Sequence, residues 1–145
     1  MKVVLAALAL LAAGSARAAD PNAVEGIWWT QNHDGVVQIY PCETGLCGRV
    51  VGIAAFKPDG SPPLDLHGRS RCRLEIIPDG KIDSGGMWDS HITDPDDDKT
   101  YTIRLQVDPD GRLRMRGYIG LPILGRTVFW THFTQRLTAD CHILD

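Results

Sequence analysis

The chain has 145 residues, 43% of them hydrophobic, and a formal charge of −3 with no basic block. That length supports one domain around one core, and an acidic surface without a basic stretch repels nucleic acid and anionic head groups. Nucleic-acid binding is therefore excluded.

Lys2 gives a positive start, Val3 to Ala13 form an apolar run, and Ser15-Ala16-Arg17-Ala18 offers small residues where a signal peptidase reads. This order predicts a secretory signal peptide over residues 1–18, too short to be a membrane span. Residues 19–145 then make a single exported domain, periplasmic or secreted. Removing Lys2 and Arg17 from the 15 basic residues, against 18 acidic ones, leaves it a formal charge of −5.

The exported part is punctuated by turn chemistry. Asp-Gly recurs at Asp34-Gly35, Asp59-Gly60, Asp79-Gly80 and Asp110-Gly111, three times after a proline. Glycine takes positive φ freely and aspartate tolerates it, so each pair predicts a hairpin turn. The segments between are rich in β-branched and aromatic residues, and predict strands near 26–31, 35–41, 48–55, 72–77, 86–93, 99–107, 111–119 and 126–135. Two alternate cleanly: Tyr101, Ile103, Leu105 and Val107 share one face, as do Leu113, Met115, Gly117 and Ile119. Such alternation puts one face in a core and the other in water. About eight strands joined mostly by tight turns predict an all-β, antiparallel up-and-down barrel, because closure removes exposed edges.

Two connections stand out. The 56–71 segment, with Pro58, Pro62 and Pro63, is longer than a hairpin needs; it reads as a rim or lid with a short helical turn at Leu64 to His67. The segment 117–125 is apolar and glycine-rich, with Pro122 blocking continuous pairing. It caps one barrel end from inside, the preferred reading, or exposes an apolar patch to a partner.

Cys42, Cys47, Cys72 and Cys141 all lie in the exported part, and an even count there predicts two disulfides. Of the three possible pairings, Cys42 with Cys47 across a tight turn, leaving Cys72 with Cys141, is preferred. On chain-entropy grounds a loop of six residues is worth about 2 kcal/mol and one of seventy about 4 kcal/mol. The cysteines lack the close spacing of a zinc site.

The blocks Gly26-Ile27-Trp28, Ile39-Tyr40-Pro41-Cys42 through Leu46-Cys47-Gly48-Arg49, Asp94-Pro95 with Lys99-Thr100-Tyr101, Arg116-Gly117-Tyr118-Ile119-Gly120 to Leu124-Gly125-Arg126-Thr127, and Trp130-Thr131 resemble a bacterial exported family, domain of unknown function 2147. The resemblance runs through nearly all of the exported part. It implies a lipocalin-like barrel and no particular activity. Gly26-x-Trp28 also resembles the lipocalin signature, whose tryptophan plugs the closed barrel end. There the resemblance leads one to expect an arginine after Trp-Thr; this chain has His132, which predicts different packing against Trp28.

Chemistry-bearing motifs are sparse. Asp94, Asp96 and Asp98 alternate, but Lys99 and Leu105 stand where a calcium loop needs Gly and Glu, so they read as a solvated turn. No metal site and no cofactor is predicted. Asp89 and His91 share a strand face and predict an ion pair, without a nucleophile elbow to make a hydrolase of them. Arg104, Arg112, Arg114 and Arg116 predict a solubilising face, with docking of an anionic partner as the lesser reading.

The function favoured is therefore non-enzymatic binding of a small apolar molecule or lipid inside the barrel. The expected wall is Val37, Ile39, Tyr101, Ile103, Leu105, Met115 and Trp130, with Trp28 flooring the closed end. The alternatives are an envelope-protein interaction module using 117–125, and a hydrolase of unknown type.

Overall fold

The computed structural model describes Gly14 and residues 20–145, so the expected signal peptide lies, Gly14 apart, outside the described residues. A 3-10 turn, Pro21–Val24, precedes eight strands: β1 Gly26–Trp29, β2 Gly35–Cys42, β3 Gly45–Ile53, β4 Glu75–Ile82, β5 Trp88–Thr93, β6 Thr100–Val107, β7 Leu113–Tyr118 and β8 Arg126–His132. Each pairs antiparallel with the next and β8 returns to β1, which closes the expected up-and-down barrel.

Alternation sets the wall of β6 and β7 as the sequence predicts. Their register pairs Ile103 with Gly117, Leu105 with Met115 and Val107 with Leu113. Ile103, Leu105, Leu113 and Met115 are buried, while Arg104, Gln106, Arg114 and Arg116 take the outer face. The β1–β8 seam is shorter, pairing only Trp28 with His132 and Trp29 with Thr131. Beyond those pairs the Phe133 amide donates to the Ile27 carbonyl at 2.9 Å, and the Gln31 side-chain oxygen accepts from the Phe129 amide at 2.9 Å. Gln31 thus replaces a ladder bond where β1 ends.

Three expectations are corrected. Asp79-Gly80 is not a turn but lies inside β4; Gly80 pairs with Leu46, and a Cβ on it would fall 2.6 Å from Leu46 Cβ. Glycine is there for close approach between strands, not for turn geometry. The turn comes later, where the Asp83 carboxylate accepts the amides of Gly85 at 2.8 Å and Met87 at 3.0 Å. The expected strands at 72–77 and 86–93 accordingly become β4 and β5. Asp59-Gly60 turns within the long loop rather than between strands. In that loop, Leu64 to His67 is no helical turn: Leu64 bridges Ser70 and the chain folds back between them.

Both cysteine pairs are bridged as preferred. Cys42–Cys47 staples the β2–β3 hairpin, and Cys72–Cys141, 69 residues apart, ties the C-terminal tail to the chain before β4. The tail carries a small ladder absent from the sequence reading, β9 Arg136–Leu137 with β10 Ile143–Leu144. It covers the outer face of β2 and β3. There Leu137 lies against Val36 and Gly52, and the Ile53 amide donates to the Cys141 carbonyl at 3.0 Å. Val36, directed away from the interior side chain of Val37, is fully buried as a result.

The core concentrates at one end. Trp28 is fully buried, its indole N–H donating to the Val24 carbonyl at 3.0 Å, and its ring stacks on His132 at 4.0 Å between centroids. The imidazole takes the place where the resemblance leads one to expect a guanidinium, and keeps face-to-face contact with the indole. Trp88 donates to the Pro21 carbonyl at 2.7 Å, so the 3-10 turn is fastened beneath this end as a plug.

Candidate functional site

At the end away from the plug the barrel is partly open. A cavity of about 870 Å³ opens at the end formed by the β1–β2 turn, the β5–β6 turn and the β7–β8 connection. That volume falls in the range of about 300–1,000 Å³ usual for small-molecule sites. The inner wall is apolar, with Val37, Ile103, Met115, Val128 and Trp130, and the mouth is mixed, with Thr30, Gln31, Asn32 and Arg126 beside exposed Ile119 and Leu124.

Five of the expected wall residues line this cavity: Val37, Tyr101, Ile103, Met115 and Trp130. Trp28, Ile39 and Leu105 do not; they lie deeper in the core that Val37, Ile103, Met115 and Trp130 also join. Ile39 lies two residues beyond Val37, and Leu105 two beyond Ile103, in both cases toward the plugged end. Alternation therefore assigned them the right face but not the right depth. Val50, Ile76, Ile92 and Val128 also line the cavity and escaped the sequence reading. Of these Val128 was within reach, since it shares the alternating face of Trp130.

Three glycines, Gly35, Gly52 and Gly117, are in the lining. Gly117 pairs with Ile103 on one side and Arg126 on the other, and a Cβ built there meets nothing closer than Ile103 Cγ2 at 3.5 Å. An added Cβ would also lie 3.8 Å from Tyr101 Cβ, an ordinary contact, so the position accepts a side chain.

The 56–71 loop contributes Pro63 and Arg71 to the lining. It is fastened to the acidic β5–β6 turn: Arg71 bonds Asp96 and the Pro95 carbonyl, and His67 lies 2.8 Å from Asp98. Within the loop, the buried Asp65 carboxylate accepts the amides of His67 at 2.9 Å and Arg69 at 2.8 Å, together with the Arg69 guanidinium. Burial works to raise the Asp65 pKa, but the Arg69 and His67 bonds outweigh it and hold the carboxyl below its ordinary value. Of the alternating aspartates, Asp96 and Asp98 thus clasp the loop, while Asp94 accepts the Asp96 amide within its own turn.

Segment 117–125 does not cap the barrel from inside. After β7 it forms a 3-10 turn, Pro122–Leu124, that turns its side chains outward: Ile119 is 52%, Leu121 64%, Ile123 84% and Leu124 72% exposed. Proline at the start of that turn fixes the direction. Ile119 and Leu124 border the cavity mouth.

The polar motifs resolve differently from expectation. Asp89 does not pair with His91; it accepts from Arg104 at 2.8 Å, while the His91 ring lies 3.3 Å from Asp79. Buried Ser90 donates to the same Asp79 at 3.3 Å, so one carboxylate gathers hydroxyl and imidazole without joining them in a proton relay. On the outer face Arg104 pairs with Asp83 and Asp89, Arg112 with Asp110 and Arg114 with Asp108. The arginine stripe is largely neutralised by the turns beside it.

Residues 26–132 match the family described as an uncharacterized protein conserved in bacteria, domain of unknown function 2147, and the chain belongs to that family. Among solved structures it is similar to protein HP1028 from the human pathogen Helicobacter pylori, described as belonging to the lipocalin family. The two share 20% identity with a TM-score of 0.61, over 77% of this chain and 83% of that one. At that identity the likeness is one of fold, a lipocalin-like barrel. No curated protein matches the chain in sequence.

Proposed function

We propose that the barrel is a non-enzymatic carrier or receptor for a small apolar ligand, held in its cavity and acting in the periplasm or secreted space after loss of residues 1–18. The observation that carries this reading is the cavity of about 870 Å³ at the barrel end away from Trp28, with the buried apolar side chains of Val37, Ile103, Met115 and Trp130 in its lining. A chain selected only for stability fills such space, since empty volume forfeits dispersion contacts. Export is supported by the charged, apolar and small-residue order of the first 18 residues and by two disulfides. No helix among the described residues is long and apolar enough to cross a membrane.

Native mass spectrometry of the purified protein, before and after organic extraction, tests the reading. The expected result is a mass adduct that extraction removes, with recovery on adding a neutral fluorescent probe such as N-phenyl-1-naphthylamine. A ligand-free protein that binds neither this probe nor any member of a fatty-acid and bile-salt panel rules it out.

A second reading, an envelope-protein docking module, is favoured by the four exposed aliphatic side chains of 117–125. Replacing Leu121 and Ile123 together by serine separates the two. It leaves probe binding intact under the first reading and abolishes capture of an envelope partner under the second.

A further inference from the structure

Five charged side chains line the cavity: Asp34, Arg71, Asp94, Asp96 and Arg126. Arg71 and Asp96 bond each other, Asp34 accepts the Thr30 hydroxyl, and Asp94 accepts the Asp96 amide of its own turn at 2.8 Å. Arg126 alone has neither ion pair nor hydrogen bond among the described residues. Its direction is fixed by β8, in which Arg126, Val128 and Trp130 all line the cavity while Phe129 between them packs under Arg112. Arg126 is therefore the outermost residue of the wall that ends in Trp130, and its strand neighbour is Gly117, which has no side chain to cover it.

We propose that the cavity takes a single-chain amphiphile with an anionic head, carboxylate or phosphate. The tail lies against Ile103, Met115 and Trp130, and the head is held by Arg126. This rests on the barrel-binder reading above and names the ligand class for the same site. The inner wall carries no charge while Thr30, Gln31, Asn32 and Arg126 stand at the mouth, which matches an amphiphile better than a wholly apolar guest. A guanidinium offers a planar fork of donors that fits either head in bidentate fashion. Asp34 and Asp94 near the mouth have local donors for their charge, so an ammonium head gains less there than an anion gains at an unpaired arginine.

The test is displacement of N-phenyl-1-naphthylamine from the purified protein by dodecanoate, dodecyl phosphate, dodecan-1-ol and dodecyltrimethylammonium, each below its micelle concentration. A charge-assisted bond at the mouth makes one or both anions about tenfold or more stronger than the alcohol. The order of the two anions tells a free fatty acid from a phosphorylated lipid. In Arg126→Gln the ratio of anion to alcohol affinity falls to near one, and Arg126→Lys recovers part of it. Equal displacement by all four, preference for the ammonium, or an anion preference that survives in Arg126→Gln overturns the assignment while leaving the barrel-binder reading in place. Failure of the probe and of all four compounds to bind the unaltered protein removes both.

Discussion

Replacing Gly117 by leucine places a branched side chain into the cavity wall. Gly117 is not among the positive-φ glycines, it is paired on both sides, and its added Cβ makes only ordinary contacts, with Ile103 Cγ2 at 3.5 Å and Tyr101 Cβ at 3.8 Å. The backbone therefore accepts the change without strain. Removing a glycine from a strand interior is itself favourable by roughly 0.5–1 kcal/mol. Burying the new side chain against Ile103 and Val128 adds part of the roughly 1.5–3 kcal/mol that a leucine gains on full burial. The unliganded variant is expected to unfold a few degrees higher than the parent, or at the same temperature.

Ligand affinity moves the other way. The leucine occupies space that a bound apolar chain fills, and the guest loses a comparable buried area, about 1.5–3 kcal/mol, or one to two orders of magnitude in Kd. Titration of N-phenyl-1-naphthylamine by fluorescence and thermal unfolding by circular dichroism, in one buffer, read both quantities. A suitable control is Gly80→Ala, which is not in the cavity lining and whose Cβ would fall 2.6 Å from Leu46 Cβ. It lowers stability and leaves the Kd of the folded fraction unchanged. Unaltered probe affinity in Gly117→Leu refutes the placement of the ligand, and a fall in melting temperature refutes the claim that this wall position accepts a side chain.

Three further outcomes follow from the frame. Paired replacement of Cys72 and Cys141 by serine releases a loop of 69 residues and costs about 4 kcal/mol in denaturant unfolding, against about 2 kcal/mol for Cys42 with Cys47. Gln31→Ala leaves the Phe129 amide without its partner at the β1–β8 seam; a loss of about 1–2 kcal/mol and faster exchange of that amide are expected by hydrogen exchange. Because folding lowers the Asp65 pKa, its carboxylate contributes stability above the unfolded value, and the contribution is lost as pH falls through the lower folded value. The gap in melting temperature between the parent and Asp65→Asn is then constant above about pH 5 and narrows below about pH 4.

Much of the barrel is written locally. Asp34-Gly35 and Asp110-Gly111 mark turns, and the alternation of 101–107 and 113–117 fixes which face of β6 and β7 is interior. Asp79-Gly80 misleads because its composition is that of a turn, yet its role is decided by Leu46, thirty-odd residues earlier, which needs a neighbour without a side chain. Asp83-Ser84-Gly85-Gly86 carries equally good turn chemistry, and only tertiary packing chooses between the two. Pro78 is tolerated in β4 because β4 begins to pair with β5 only at Lys81, so no β5 carbonyl opposite it lacks an amide donor.

The site is less legible, for a reason that holds for barrels in general. Period-two alternation reports inside or outside but contains no coordinate along the barrel axis, so Ile39 and Val37, or Leu105 and Ile103, look equivalent in sequence. What separates them is the plug, Trp28 hydrogen-bonded to Val24 and stacked on His132, which fills one end and leaves the other to solvent or a guest. Depth becomes readable only when register is known across all eight strands, because Arg126 and Gly117 gain their meaning from facing each other. Residue 117 shows the limit most clearly. Read along its own strand it is a weak spot in an apolar pattern, and read across the barrel it is a lining position that leaves its strand neighbour Arg126 uncovered.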